Sequence, residues 1–163
     1  MFEMNPDIEI IEIIEQTTLT IREEAKTEYV PERMGKIFSE ILSFMDKKGI
    51  ASTGAPFAYW HNMSSDSISK GIFDMECGFP ISVLVEDKGR IKRSKLPGGR
   101  VITALHIGSY ETLTETYDVV MAWIRKNGYQ VEENMWETYL TNPAEEPDKS
   151  KWMTRIFLPM KKF

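Results

Sequence analysis

Two stretches of the chain carry apolar residues at helical spacing. Met34, Phe38, Ile41, Leu42 and Met45 form one stripe, and Leu113, Tyr117, Val120, Met121 and Ile124 form the other. Pro31 sits where a first helical turn tolerates a missing N–H, and Lys47-Lys48-Gly49 supplies a basic last turn and a glycine stop. The second stripe predicts a helix over 110–126, with Ser109 as its N-cap and Arg125-Lys126-Asn127-Gly128 as its end. Elsewhere the pattern is that of strands. Ile8 to Arg22 is rich in β-branched residues, and further strands are expected near 56–61, 71–77, 99–107, 134–141 and 151–160. Polar stretches over 62–67 and 142–149 read as loops between strands.

The two stripes lie in register when the chain is slid against itself by 79 positions (128 − 49). Gly49 then falls on Gly128, Pro80 on Pro159, Met34 on Leu113, Phe38 on Tyr117 and Ile41 on Val120. The expected fold is therefore α+β: a duplicated β-α-β-β unit with pseudo-twofold symmetry and largely antiparallel sheets. The whole chain, 1–163, forms one domain, with repeat 1 at about 8–81, linker strands at about 82–96 and repeat 2 at about 97–160. Each helix should cover one side of its own half-sheet. The uncovered sides then face each other or water, and a cleft between them, on the pseudo-twofold axis, is where a ligand would sit.

At 163 residues, 42% of them hydrophobic, the chain can bury a core without staples. A single cysteine, Cys77, cannot form an internal disulfide, and no apolar run approaches the roughly 20 residues that span a bilayer. With no signal-peptide pattern at the start, a cytoplasmic location and no membrane contact are expected. The net charge of −5 argues against a phosphate-binding face. The one compact basic run, 88–95, alternates as an edge strand does, with its charges in water. His61 and His106 are the two histidines and stand in no metal-binding motif, so no metal and no cofactor are expected. His106 reads instead as a residue that orders the turn at Gly108. Pro97-Gly98-Gly99 precedes a strand and offers no helix N-terminus to a phosphate.

Candidate chemistry concentrates in Met135-Trp136-Glu137-Thr138-Tyr139-Leu140-Thr141. Strand side chains alternate faces, so Met135, Glu137 and Tyr139 share one face and Trp136, Thr138 and Leu140 the other. Placing Trp136 and Leu140 in the helix-side core puts Glu137 on the cleft side. A one-residue slip would bring Phe57, Tyr59 and His61 to the matching strand of the first repeat. A carboxylate among aromatic rings loses several kcal/mol of hydration unless it is paired or protonated. A flat aromatic cation would restore that loss, and each ring face would add roughly 0.5–2 kcal/mol. The alternative is a solvated Glu137 paired with Arg155 on the next strand.

The segment Gly99-Arg100 into Val101–His106, the turn His106-Ile107-Gly108-Ser109-Tyr110, then Tyr117, Trp123 and Gly128, and the strand end Trp136-Glu137-Thr138-Tyr139-Leu140-Thr141-Asn142-Pro143 together resemble the GyrI-like small-molecule-binding family. The family is similar to the effector-binding domains of AraC-type and MerR-type multidrug-sensing regulators. The resemblance covers nearly the whole chain, from Ile8 to Met160. It implies a ligand groove between the repeats, with Glu137 as acidic anchor and Tyr59, Tyr110 and Tyr139 among its walls; Phe57 and Met135 complete the candidate ligand-binding set. Small hydrophobic cations are the ligands it implies. Some relatives look like hydrolases of cyclopropane-type compounds, which would make Glu137 a general base or acid assisted by Tyr139. About seven residues precede the first strand, so direct DNA binding is not expected. A third possibility is that the chain modulates a protein partner.

Overall fold

The computed structural model describes residues 6–162. Eight strands form one antiparallel sheet: β1 (Glu9–Ile13), β2 (Gln16–Lys26), β3 (Phe57–His61), β4 (Ile72–Pro80), β5 (Lys92–Leu96), β6 (Gly99–Ile107), β7 (Met135–Tyr139) and β8 (Met153–Pro159). Two long helices, α1 (Val30–Lys48) and α3 (Leu113–Lys126), connect β2 to β3 and β6 to β7, and a single turn, α2 (Asp66–Ser69), lies between β3 and β4. The fold is α+β. The order across the sheet is β1-β6-β8-β7-β3-β4-β2-β5, which reads the same from either end when β2-α1-β3-β4 is exchanged with β6-α3-β7-β8. No helix among the described residues is long and apolar enough to cross a membrane.

Both helices end in the same way, at positions 79 apart. Gly49 and Gly128 adopt left-handed φ values of 68° and 72°, open to glycine at little cost. The next amide in each case returns to the last helical turn, Ile50 N–H to the Met45 carbonyl at 2.9 Å and Tyr129 N–H to the Ile124 carbonyl at 3.1 Å. The buried stripes also correspond: Ile37, Ile41 and Met45 on α1 against Thr116, Val120 and Ile124 on α3.

The two helices lie on one face of the continuous sheet, rather than on separate half-sheets with their bare sides opposed. Direct cross-strand partners trace a row Ile21, Cys77, Ala58, Glu137, Ile156, Ala104 across six strands. The first three of these pack under α1, and Ile156 and Ala104 pack under α3. The opposite face is buried too, because the sheet curls on itself. Its two ends are drawn together by short links, Ile14-Glu15 between β1 and β2 and Pro97-Gly98 between β5 and β6. These links run against each other so closely that a Cβ on Gly98 would stand 2.8 Å from the Glu15 amide nitrogen. Leu96 from one end thereby packs with Val101, Ile11 and Ile13 from the other, around Phe57 and Trp136. Lys92, Arg93 and Lys95 are exposed on the edge strand β5, with their charges in water as expected, though Lys92 and Arg93 point to opposite faces.

Candidate functional site

Strand β7 crosses the middle of the sheet and carries Glu137 on the helix-covered face. Of the six residues in its cross-strand row, Glu137 alone carries a charge, and it is 6% exposed. Its two oxygens accept from two phenols. Tyr117, reaching down from α3, donates to Oε2 at 2.6 Å, and Tyr139, two residues along β7, donates to Oε1 at 2.8 Å. Among the described residues, no lysine, arginine or histidine lies within ion-pairing distance. Arg155, the sequence-based alternative partner, stands opposite Thr138 and so points to the other face. Burial, followed by the Glu137 charge, pushes both phenols well above their ordinary range, so they remain protonated donors.

An aromatic group surrounds this carboxylate. Phe38 of α1 meets Tyr139 edge-on with centroids 6.4 Å apart, and Tyr110 meets Tyr139 edge-on at 5.7 Å. Trp152 lies against Tyr110 at 5.1 Å. Met135 packs on the same face, against both helix-side clusters. Tyr110 belongs to a 3-10 turn, and His106 holds that turn in place. His106 Nε2 is 2.9 Å from the Ser109 carbonyl, and its Nδ1 is 2.6 Å from the Thr116 hydroxyl on α3. Ser109 caps this 3-10 turn and not α3, which begins three residues later than expected with Thr112 as its N-cap; Ser109 contributes its carbonyl and not its side chain. Thr154 is the cross-strand partner of both Tyr139 and His106, and its buried hydroxyl has no partner among the described residues.

Glu137, Tyr139, Tyr110 and Met135 thus come together, while Phe57 and Tyr59 do not join them. The pairings Phe57 with Thr138 and Tyr59 with Trp136 put both rings on the concave face. The physical reason is the offset. The helices, their caps and the alternation of β3 and β7 all keep a spacing of 79, which is odd. It matches Ala58, not Tyr59, to the face of Glu137, and the one-residue slip is absent. Trp136 is buried core, 2% exposed, but on the face away from the helices, stacked between Tyr59 and Phe157. Tyr117 was legible as a member of a helical stripe and of the residues that carry the family resemblance, but not as a partner of Glu137; its hydroxyl, unusual in such a stripe, was the available signal.

The sequence matches the GyrI-like small molecule binding domain over residues 6–161. The chain belongs to this family. No curated protein matches it. Among solved structures, the C-terminal domain of EcmrR aligns with a TM-score of 0.81 at 22% identity, covering 98% of this chain and 100% of that one. In an EcmrR–DNA complex the TM-score is 0.82 at 22% identity over 96% of this chain, which spans 58% of the EcmrR chain. SAV2435 bound to tetraphenylphosphonium aligns with a TM-score of 0.69 at 12% identity, covering 95% of this chain and 94% of that one. A hydrolase from Listeria innocua aligns with a TM-score of 0.67 at 13% identity, covering 98% and 94%. At these identities the GyrI-like domain shares its fold with all three.

Proposed function

We propose that this GyrI-like domain binds hydrophobic cations carrying aromatic rings between α1 and α3, with Glu137 as the acidic anchor and Tyr110, Tyr139 and Met135 as its walls. The observation that carries this reading is the buried carboxylate whose partners are two neutral phenols. Two hydrogen bonds compensate part of its lost hydration, and the remainder calls for positive charge. A cation with apolar arms would supply that charge and take cation–π contacts from rings already in place. Tetraphenylphosphonium, the molecule held by SAV2435, is of this chemical type.

The phenols occupy the near side of the carboxylate, so a bound cation either sits over their rings or turns one of them aside. In both cases the site discriminates by charge as well as by shape. Isothermal titration of tetraphenylphosphonium beside uncharged triphenylmethanol tests this. The cation is expected to bind at least tenfold tighter, about 1.4 kcal/mol. Equal affinities would remove Glu137 from the role of anchor. Disappearance of an electrophilic cyclopropane-type compound on incubation, with hydrolysed product formed, would replace simple binding with turnover at the same carboxylate.

A further inference from the structure

The concave face of the curled sheet holds a cavity of about 220 Å³, lined in part by Thr18, Phe57, Tyr59, His61, Glu76 and Ser94. It is separated from Glu137 by the thickness of the sheet, since Tyr59 and Glu137 alternate to opposite faces. We propose that this cavity is a second binding site, which takes a small uncharged aromatic molecule bearing one hydroxyl group, of the size of phenol.

The internal repeat shows that the polar lining is not required by the architecture. On β2, Thr18 has Ser94 and Pro80 as its cross-strand partners. On β6, Val101 has Ile11 and Pro159 in the same two places. In the second half Val101, Ile11, Trp136 and Phe157 pack there as core, with Thr103, Thr138 and Arg155 elsewhere on the same face. The first half puts two hydroxyls there, beside a histidine–carboxylate pair, and leaves a cavity. The Thr18 side chain is 0% exposed, and its hydroxyl has no hydrogen-bond partner among the described residues. A buried hydroxyl without a partner costs stability, and a ligand hydroxyl would supply one.

The charges select for a neutral ligand. Glu76 accepts from the Thr20 hydroxyl at 2.7 Å and lies 2.9 Å from His61 Nε2. Burial alone would raise its pKa, but hydrogen bonds from His61, Ser94 and Thr20 outweigh burial and hold it at about 2. A carboxylate with three donors does not call for a cation, and its charge opposes an anion. Lys95, at the rim, is already paired with Glu15 at 3.3 Å. The remaining walls, Phe57, Tyr59, Leu96 and Pro97, suit a ring. An apolar cavity of about 150 Å³ is enough to admit benzene, so the volume here suffices for one substituted ring.

The test is a titration of the whole chain with phenol and, separately, with toluene, followed by backbone amide NMR. Phenol is expected to give saturable shifts at Thr18, His61 and Leu96. Thr18→Val, which copies the residue at position 101, is expected to weaken phenol about 3- to 10-fold. Toluene affinity should change less than about twofold. Absence of saturable shifts in the unmodified protein would overturn the proposal without any variant. So would shifts confined to the surroundings of Glu137, or a phenol-to-toluene affinity ratio that Thr18→Val leaves unchanged. Cation binding at Glu137 is read by separate resonances, so the two sites succeed or fail independently.

Discussion

Ala58 and Glu137 face each other directly across the β3–β7 seam, and they are also equivalent positions of the two repeats, 79 residues apart. A pair that is both partner and counterpart straddles the pseudo-twofold axis. The axis therefore passes between a carboxylate on one strand and a methyl group on the other. Over it stand Phe38 from α1 and Tyr117 from α3, again 79 apart. The side chain at position 58 is a single methyl group, fully buried beside the carboxylate.

Ala58→Val tests whether a ligand approaches this seam. Ala58 is fully buried. Two added methyl groups are expected to destabilise the fold by about 1–3 kcal/mol through overpacking. They should also weaken tetraphenylphosphonium binding, because the added volume stands next to Glu137. Urea denaturation and ligand titration on the same preparation give both quantities. Lowered stability with unchanged cation affinity would show that the ligand does not approach the seam.

The phenols give a second prediction. Tyr117→Phe or Tyr139→Phe leaves a buried carboxylate one donor short, and each is expected to cost about 1–3 kcal/mol. The pair serves one group, so the double variant should depart from the sum of the single ones. There is a pH signature as well. Both phenols titrate far higher in the folded state than their ordinary value of 10.0. Above that value the unfolded chain releases protons that the folded chain keeps, so this stabilisation is full below pH 10 and is lost as pH rises. The urea midpoint should fall as pH rises above 10.0, and each Phe variant should flatten that fall.

Much of this fold was legible because local signals agreed with one another. Pro31, Gly49 and Gly128 mark helix ends, the stripes fall largely on the covered helix faces, though Leu42 is exposed and Ile37 and Phe44 are buried in α1, and the offset of 79 holds through α1, α3, β3, β7 and both caps. The face of β7 was not legible. Met135, Trp136, Tyr139 and Leu140 put apolar bulk on both sides of the strand, and the largest, Trp136, suggested the helix side. The curl of the sheet buries the other side as well, so size carries no information about which face the helices cover. Curling depends on the two edge links meeting at Gly98, a long-range contact that no local pattern announces. The same curl gives His61 and Glu76 their enclosure, which their separation in sequence conceals. The loop after β3 also holds one helical turn, Asp66–Ser69, too short to leave a periodic signal.

Glu76 supplies a prediction at the acid end. Its folded-state pKa of about 2 lies below its ordinary 4.5. A depressed carboxylate contributes stability that is complete above the unfolded value and disappears as pH falls through the folded one. The window is therefore pH 4.5 down to about 2. Glu76→Gln should be less stable than the parent at neutral pH and should narrow the difference across that window. Denaturation midpoints measured at several pH values decide it: parallel curves for the two proteins would mean that Glu76 does not titrate with folding.

Glu137→Gln keeps the outline of the side chain and removes its charge. If Glu137 anchors a cation in a largely dry site, the change should cost about 2–5 kcal/mol of cation binding, or roughly 30- to 4,000-fold in affinity. Affinity for triphenylmethanol should move little. Folded stability need not fall, since an incompletely compensated buried charge has been replaced by a neutral amide. The amide oxygen still accepts from one phenol, which limits the structural loss. A purely structural role for the carboxylate gives the opposite pattern, a lower melting temperature with cation and neutral ligand affected alike. A catalytic role gives a third, in which neutral electrophiles still bind and their conversion stops. One cationic ligand, one neutral ligand, a melting curve and a product assay on both proteins separate these outcomes. If cation affinity stays within about twofold, below 0.5 kcal/mol, Glu137 is not the anchor.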